Sequence, residues 1–274
     1  EDSTITNSAA ANNLTTGSDN IIYGVNTAVT MTVGNRNLIY GNNSGNRLTG
    51  TSDVIIIGVS SGSNIDGSAI TDGENILIGN YTGQSITSGR TILIGHQAGR
   101  YATGNDLVII GSQAGRTICG SRNTLIGNYA AGITSNPNAN PVLGEDNILI
   151  GTYAGFQLQT GSYNIIIGSG NGSVGAAGYN ITSGNYNLLC GYRAGRSITS
   201  GSVNVLLGCN AGSSISRSTR NLIIGNDAAP LLGNTDNTTL SNDNLVFGNY
   251  AASNCTTANK LLIIGSSAGY KCTT

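Results

Sequence analysis

Catalysis by this chain would have to rest on carboxylates. It has one histidine, His96, and 5 cysteines with no CxxC pair and no His/Cys cluster. Nucleophilic triads and thiolate or imidazole metal sites therefore lack their parts, and no metal or other cofactor is expected. Paired Asp and Glu remain, the general acid and base of glycan cleavage. They gather as Asp66, Asp72 and Glu74, then Glu145 and Asp146, then Asp236 and Asp243. A groove between such groups would hydrolyse a polysaccharide. Loops that carry the solubilising charge of an otherwise uncharged surface explain the same grouping more simply, so the chain is read as non-enzymatic with no catalytic residue assigned.

Binding chemistry has better candidates. Tyr81, Tyr129, Tyr153 and Tyr250 each stand two residues after a recurring glycine. Flat aromatic faces suit carbohydrate stacking, and the same ridge would serve equally against a neighbouring subunit. Arg100, Arg116 and Arg196 stand five residues after such a glycine, an edge able to meet anionic glycans or simply to resist edge-to-edge aggregation. Thr87, Thr103, Thr199, Thr256 and Thr273 form another column; an ice-binding face would want regular Thr-x-Thr pairs, and this column is single and interrupted. Cys255 and Cys272 each lie seven residues after a recurring glycine, so in stacked coils they would approach to about 5 Å at Cα, within disulfide reach. A staple between them is expected, with two buried thiols as the alternative.

These offsets exist because one phrase returns about fourteen times: Asn, three aliphatics, Gly, two variable residues, a small residue, then Gly or Ala. Asn75-Ile76-Leu77-Ile78-Gly79, Asn147-Ile148-Leu149-Ile150-Gly151 and Asn204-Val205-Leu206-Leu207-Gly208 are clear copies. The glycine recurs at Gly79, Gly95, Gly111, Gly127 and Gly151 and onward, in steps of roughly 16 or 17 residues with four longer ones. So short a period cannot hold a helix hairpin or a propeller blade. Two strands of about five residues with two tight turns fill it, which is one coil of a β-solenoid. Glycine supplies the positive φ of the turns. Stacked Asn would form a hydrogen-bonded ladder, interrupted where Val54, Leu107 and Leu261 replace it.

Residues 1–19 read as a polar N-terminal arm or linker, and 20–274 as the solenoid, with insertions near 62–74, 132–146, 172–186 and 229–243. Insertions into repeats become surface loops, often on the binding face. At a coil spacing of roughly 4.8 Å the stack would extend on the order of 65 Å. Adjacent strand residues point to opposite faces, yet all three of each triplet are aliphatic, so both faces need burying. A thin coil cannot do that alone; a homo-oligomer, read here as a trimer, supplies the second surface.

Composition narrows the class further. Charged residues are only 9% of the 274, with 12 Lys+Arg against 13 Asp+Glu, so the basic excess of a nucleic-acid binder is missing. No apolar run nears the ~20 residues of a membrane helix, so no membrane insertion is expected, and no signal-peptide pattern stands at Glu1.

Phrases such as Thr91-Ile92-Leu93-Ile94-Gly95-His96-Gln97-Ala98-Gly99 and Asn187-Leu188-Leu189-Cys190-Gly191-Tyr192-Arg193-Ala194-Gly195 resemble repeats of tailed-phage and giant-virus fibre proteins. They are also similar to the β-roll head repeats of trimeric autotransporter adhesins, with a longer period. The resemblance implies an extracellular trimeric fibre on a virion or cell surface that attaches to a host receptor or surface glycan. A subunit of a self-assembling extracellular filament is the alternative.

Overall fold

The structure, a computed structural model, describes residues 3–6, 10–65, 73–87, 89–132, 142–171, 175–233 and 240–270. It is an all-β solenoid of about fourteen coils, with strands of three residues each. The chain divides between Leu125 and Ile126 into two compact units. The first carries β1 (Thr4–Thr6), β2 (Ile21–Tyr23), β3 (Leu38–Tyr40), β4 (Ile55–Ile57), β5 (Ile76–Ile78), β6 (Ile92–Ile94) and β7 (Val108–Ile110), and the division falls within β8 (Thr124–Ile126). The second carries β9 (Ile148–Ile150), β10 (Ile165–Ile167), β11 (Leu188–Cys190), β12 (Val205–Leu207), β13 (Leu222–Ile224), β14 (Leu245–Phe247) and β15 (Leu262–Ile264).

Within each unit the strands pair in chain order, parallel and without slip: Leu38 lies opposite Ile55 and Ile76 opposite Ile92 in the first, Ile165 opposite Leu188 and Leu245 opposite Leu262 in the second. Each strand stops after three residues because the glycine that follows leaves the β region. Gly95 has φ 132° and Gly151 φ 131°, which L side chains rarely adopt. Proximity enforces the same choice. A Cβ on Gly95 would sit 2.7 Å from the Gly111 carbonyl oxygen, and one on Gly151 2.8 Å from that of Gly168.

Two tight turns follow each glycine. In one coil of the first unit Ala98 N–H donates to the Gly95 carbonyl (3.2 Å) and Ala102 N–H to that of Gly99 (3.0 Å). Positive φ is not left to glycine alone: 32 non-glycine residues adopt it among those described, so side chains occupy most turn corners at a strain of about 1–2 kcal/mol each. Only repeated stacking contacts can hold so many.

Three inward positions per coil make the core. In the second unit they are the middle strand residue (Leu149, Ile166, Leu189, Leu206), a small residue such as Ala154, Ala194 or Ala211, and a second aliphatic (Leu158, Ile181, Ile198, Ile215), all buried. That second aliphatic was expected to sit in a strand of its own. It does not: a positive-φ Gly at +4, such as Gly195 (φ 56°), stands three residues before it. The following residues still bond coil to coil, as Thr182 N–H to Thr199 O (2.9 Å) and Thr199 N–H to Ser216 O (2.8 Å), so each coil is one short strand and three corners. The sheet also begins earlier than the repeats suggest. β1 lies inside the segment read as an arm and pairs Thr4 with Ile21 and Ile5 with Ile22, and Ala10 and Ala11 are buried.

Where Asn precedes consecutive strands it forms the expected ladder, most completely in the second unit. Side-chain amides of Asn164, Asn187, Asn204 and Asn221 each donate to the Oδ1 of the preceding Asn at 3.0 Å, and Asn244 to Asn221 at 2.9 Å. The other amide hydrogen of Asn147 bonds Gly161 O (3.0 Å), and that of Asn204 bonds Ser218 O (2.9 Å). Each Oδ1 also accepts the backbone N–H of the next Asn, as Asn204 N–H to Asn187 (3.1 Å). Both donors and both lone pairs of a fully buried amide are thus used. In the first unit Asn37 bonds Asn20 (2.9 Å) and the ladder ends at Val54; further on, Asn75 accepts from the Thr91 hydroxyl (2.9 Å).

Cys255 is buried in the second aliphatic column; Cys272, and with it the predicted staple, lies outside the described residues. So do residues 66–72, 133–141, 172–174 and 234–239 of the insertions, including Asp66, Asp72 and Asp236, and Thr273 of the Thr column.

Asn204→Ala removes a central rung and orphans its neighbours. It should lower the unfolding free energy by about 2–4 kcal/mol, read from the urea midpoint. Gly151→Ala should cost at least as much, through positive φ and the Gly168 contact together.

Candidate functional site

Coil-on-coil stacking turns every offset in the repeat into a column, so the surface consists of stripes. The most apolar is the outward side of the strands. In β10 Ile166 is 0% exposed while Ile165 and Ile167 on either side are 39% and 38% exposed. The same alternation runs through both units, with half-buried or exposed Ile, Leu, Val or Tyr at the first and third strand positions. Tyr23 and Tyr40 occupy third positions in the first unit and stack at 4.9 Å. Cys190 occupies one in the second.

Two residues before each strand runs a column that the sequence reading missed. It reads Asp19, Arg36, Asp53, Glu74, Arg90, Asp106 and Arg122 in the first unit, and Asp146, Tyr163, Tyr186, Val203, Arg220, Asp243 and Lys260 in the second. All have φ between 55° and 61°. The charges nearly alternate, and successive members pair: Arg36 with Asp53 through two contacts of 2.6 Å, Arg90 with Asp106 at 2.7 and 3.2 Å, Arg220 with Asp243 at 2.6 and 3.0 Å. Tyr163 and Tyr186 continue it with rings stacked at 4.9 Å. The signal was available: a fixed offset of two from the triplet, with alternating sign. It also relocates the acids first considered for catalysis. Glu74, Asp146 and Asp243 belong to this ladder, with Glu145 beside it. Hydrogen bonds from Arg36, Arg90 and Arg220 hold the carboxyls of Asp53, Asp106 and Asp243 below the ordinary carboxylate range, against a smaller upward push from desolvation.

The predicted tyrosines all sit at the positive-φ corner after the glycine, with φ of 58° (Tyr81), 57° (Tyr129), 62° (Tyr153) and 58° (Tyr250). They do not form one surface. Tyr129 and Tyr153 stack at 5.0 Å, and Phe156 extends the group to Tyr179. Burial raises the Tyr179 phenol pKa. Tyr250 is exposed, separated in its column by Arg193, Asn210 and Asp227. Tyr81 belongs to the first unit, edge-on to the exposed His96 at 6.0 Å. There Arg100 lies over the rings of Tyr81 (5.4 Å) and Tyr101 (5.1 Å), and Arg116 over Tyr101 (5.7 Å). Arg196 is in the second unit, one turn from Arg193, which covers the Tyr192 ring at 5.2 Å.

Among the described residues no group of three or more His, Cys, Asp or Glu converges. No helix there is long and apolar enough to cross a membrane. What the arrangement offers is periodic contact: an apolar stripe, a self-neutralised charged stripe and a corner of cations on aromatic rings. No protein family, curated protein or solved structure matches the chain.

The three ion-paired carboxyls have folded pKa values below the unfolded value near 3.9. Their contribution is complete at neutral pH and is lost as pH falls through the folded values. The denaturation midpoint should therefore hold from about pH 8 to about pH 5 and drop below about pH 4. A triple variant, Asp53→Asn with Asp106→Asn and Asp243→Asn, should start lower at neutral pH and lose measurably less on acidification.

Proposed function

We propose that this chain is a non-enzymatic structural protein of an extracellular fibre, exposed on a virus or cell, that self-associates as a homotrimer and attaches to a host receptor or surface glycan. The observation that carries the reading is the pair of outward apolar columns on the strands. Contiguous apolar stripes on a soluble protein mark a surface that is covered in use. Their shape restricts what can cover them. Ridges and grooves recur once per coil, about every 4.8 Å, so a partner that fills them along many coils must share that period. A second copy of this chain has it. A strand directed at a three-fold axis presents its first-position column to one neighbour and its third-position column to the other, which gives each stripe one partner in a closed cyclic assembly.

The rest of the surface supports the same reading. The charged column bordering the strands pairs Arg36 with Asp53, Arg90 with Asp106 and Arg220 with Asp243 within the chain, so an apolar contact beside these pairs strands no unpaired charge there. Of the acids that a hydrolase would use, Glu74, Asp146 and Asp243 are members of that column. The insertions interrupt particular coils, where loops can meet a receptor while the stack stays regular.

Light scattering with negative-stain imaging should find a monodisperse trimer. Leu188→Asp with Val205→Asp, two outward positions, should give a monomer that keeps the native far-UV spectrum. A stable wild-type monomer contradicts the assembly, and unlimited polymers replace the fibre with a filament subunit.

A further inference from the structure

In the charged column an arginine meets an aspartate of a neighbouring coil, as Arg36, Arg90 and Arg220 do. Arg100 and Arg116 lie in another column without such a partner. They occupy the same offset in consecutive coils of the first unit, and among the described residues neither makes an ion pair. Arg100 Nε donates to Gln84 Oε1 at 2.6 Å, and Arg116 Nε is buried with no partner. Like charges held one above the other in neighbouring coils repel. No carboxylate stands at the offsets two, five and six residues after Gly58, Gly79, Gly95 or Gly111 that build this corner.

The rings organise these cations. Tyr81, Arg100, Tyr101 and Arg116 form an alternating series, with each guanidinium 5.1 to 5.7 Å from a ring centroid. With Arg100 Nε taken by Gln84 and Arg116 Nε buried, the two terminal Nη groups of each half-exposed arginine are the donors left for an acceptor. A carboxylate or sulfate matches that fork with two oxygens; a sugar hydroxyl does not.

We infer that this corner binds an acidic polysaccharide, whose carboxylate or sulfate groups supply the counter-charge that Arg100 and Arg116 lack. The inference rests on the attachment reading and names the ligand class for it. Two cations one coil apart fit a linear polymer with an acid on successive sugars. A nucleic acid would meet a chain of net charge −1 with no wider basic surface to hold its phosphates.

The test uses the whole chain with five probes: an oligo-uronate, dextran sulfate, neutral dextran, poly-glutamate and a DNA duplex. Oligo-uronate and dextran sulfate should bind, more weakly as salt rises, and dextran should not. Arg100→Gln with Arg116→Gln should weaken binding tenfold or more at unchanged far-UV spectrum, and the double Lys variant should recover only part of it, because Lys lacks the planar fork. Equal binding of neutral dextran, undiminished binding by the double Gln variant, or tighter capture of poly-glutamate or DNA each overturns the inference. Light scattering on the same samples separates the two levels: lost glycan binding by an intact trimer removes this site alone, whereas a monomeric wild type removes the reading beneath it.

Discussion

The regular stretches of this molecule depend on a ladder of buried hydrogen-bonded amides. From Asn147 to Asn244 the asparagine before each strand bonds to its neighbours in the ladder and to backbone, as Asn187 and Asn204 do with both amide hydrogens and both lone pairs. An apolar residue could fill the space but could not hold the corner carbonyl and the neighbouring N–H that the Asn satisfies. Because identical groups answer one another, the pairing is satisfied only when coils stack in register. Val54, and Thr91 followed by Leu107, at the same place show that the stack survives interruptions.

Once register is set, each offset in the repeat becomes a column with its own physics. The glycine column is packed against the carbonyl of the next coil, which admits no Cβ. The column before the strands tolerates long side chains at positive φ and assembles them into an Arg/Asp ladder. The outward strand columns remain apolar and partly exposed. A single repeated coil thereby produces apolar, charged and aromatic columns side by side.

Much of the fold was legible because the strongest signals are obligatory ones. The aliphatic triplet, its glycine and its asparagine each have a role that few residues can fill, so they recur visibly. The second strand of each coil was over-read: one inward aliphatic such as Ile198 between corners is a turn-bounded wall. The start of the sheet at Thr4–Thr6 escaped because Thr-Ile-Thr lacks the aliphatic pattern. The charged ladder escaped for a different reason. Tyr, Arg, Asp and Val all occupy that positive-φ corner, so side-chain type gives no warning of the backbone conformation, and only the alternation of sign along the chain betrays it. Of the binding candidates, the column offsets of the tyrosines and arginines were readable, whereas which of them touch depended on how the rings and guanidiniums interleave.

The central claim is that the outward strand face is covered by copies of the same chain. Cys190 lies on that face, at the third position of β11, and Cys209 lies just past the next glycine; both are half-exposed free thiols in a single chain. Rates of thiol alkylation in the native protein, read by mass spectrometry, separate the two. The account predicts that Cys209 reacts readily while Cys190 is protected until the assembly is dissociated. Equal, rapid alkylation of Cys190 and Cys209 in the native state would contradict it.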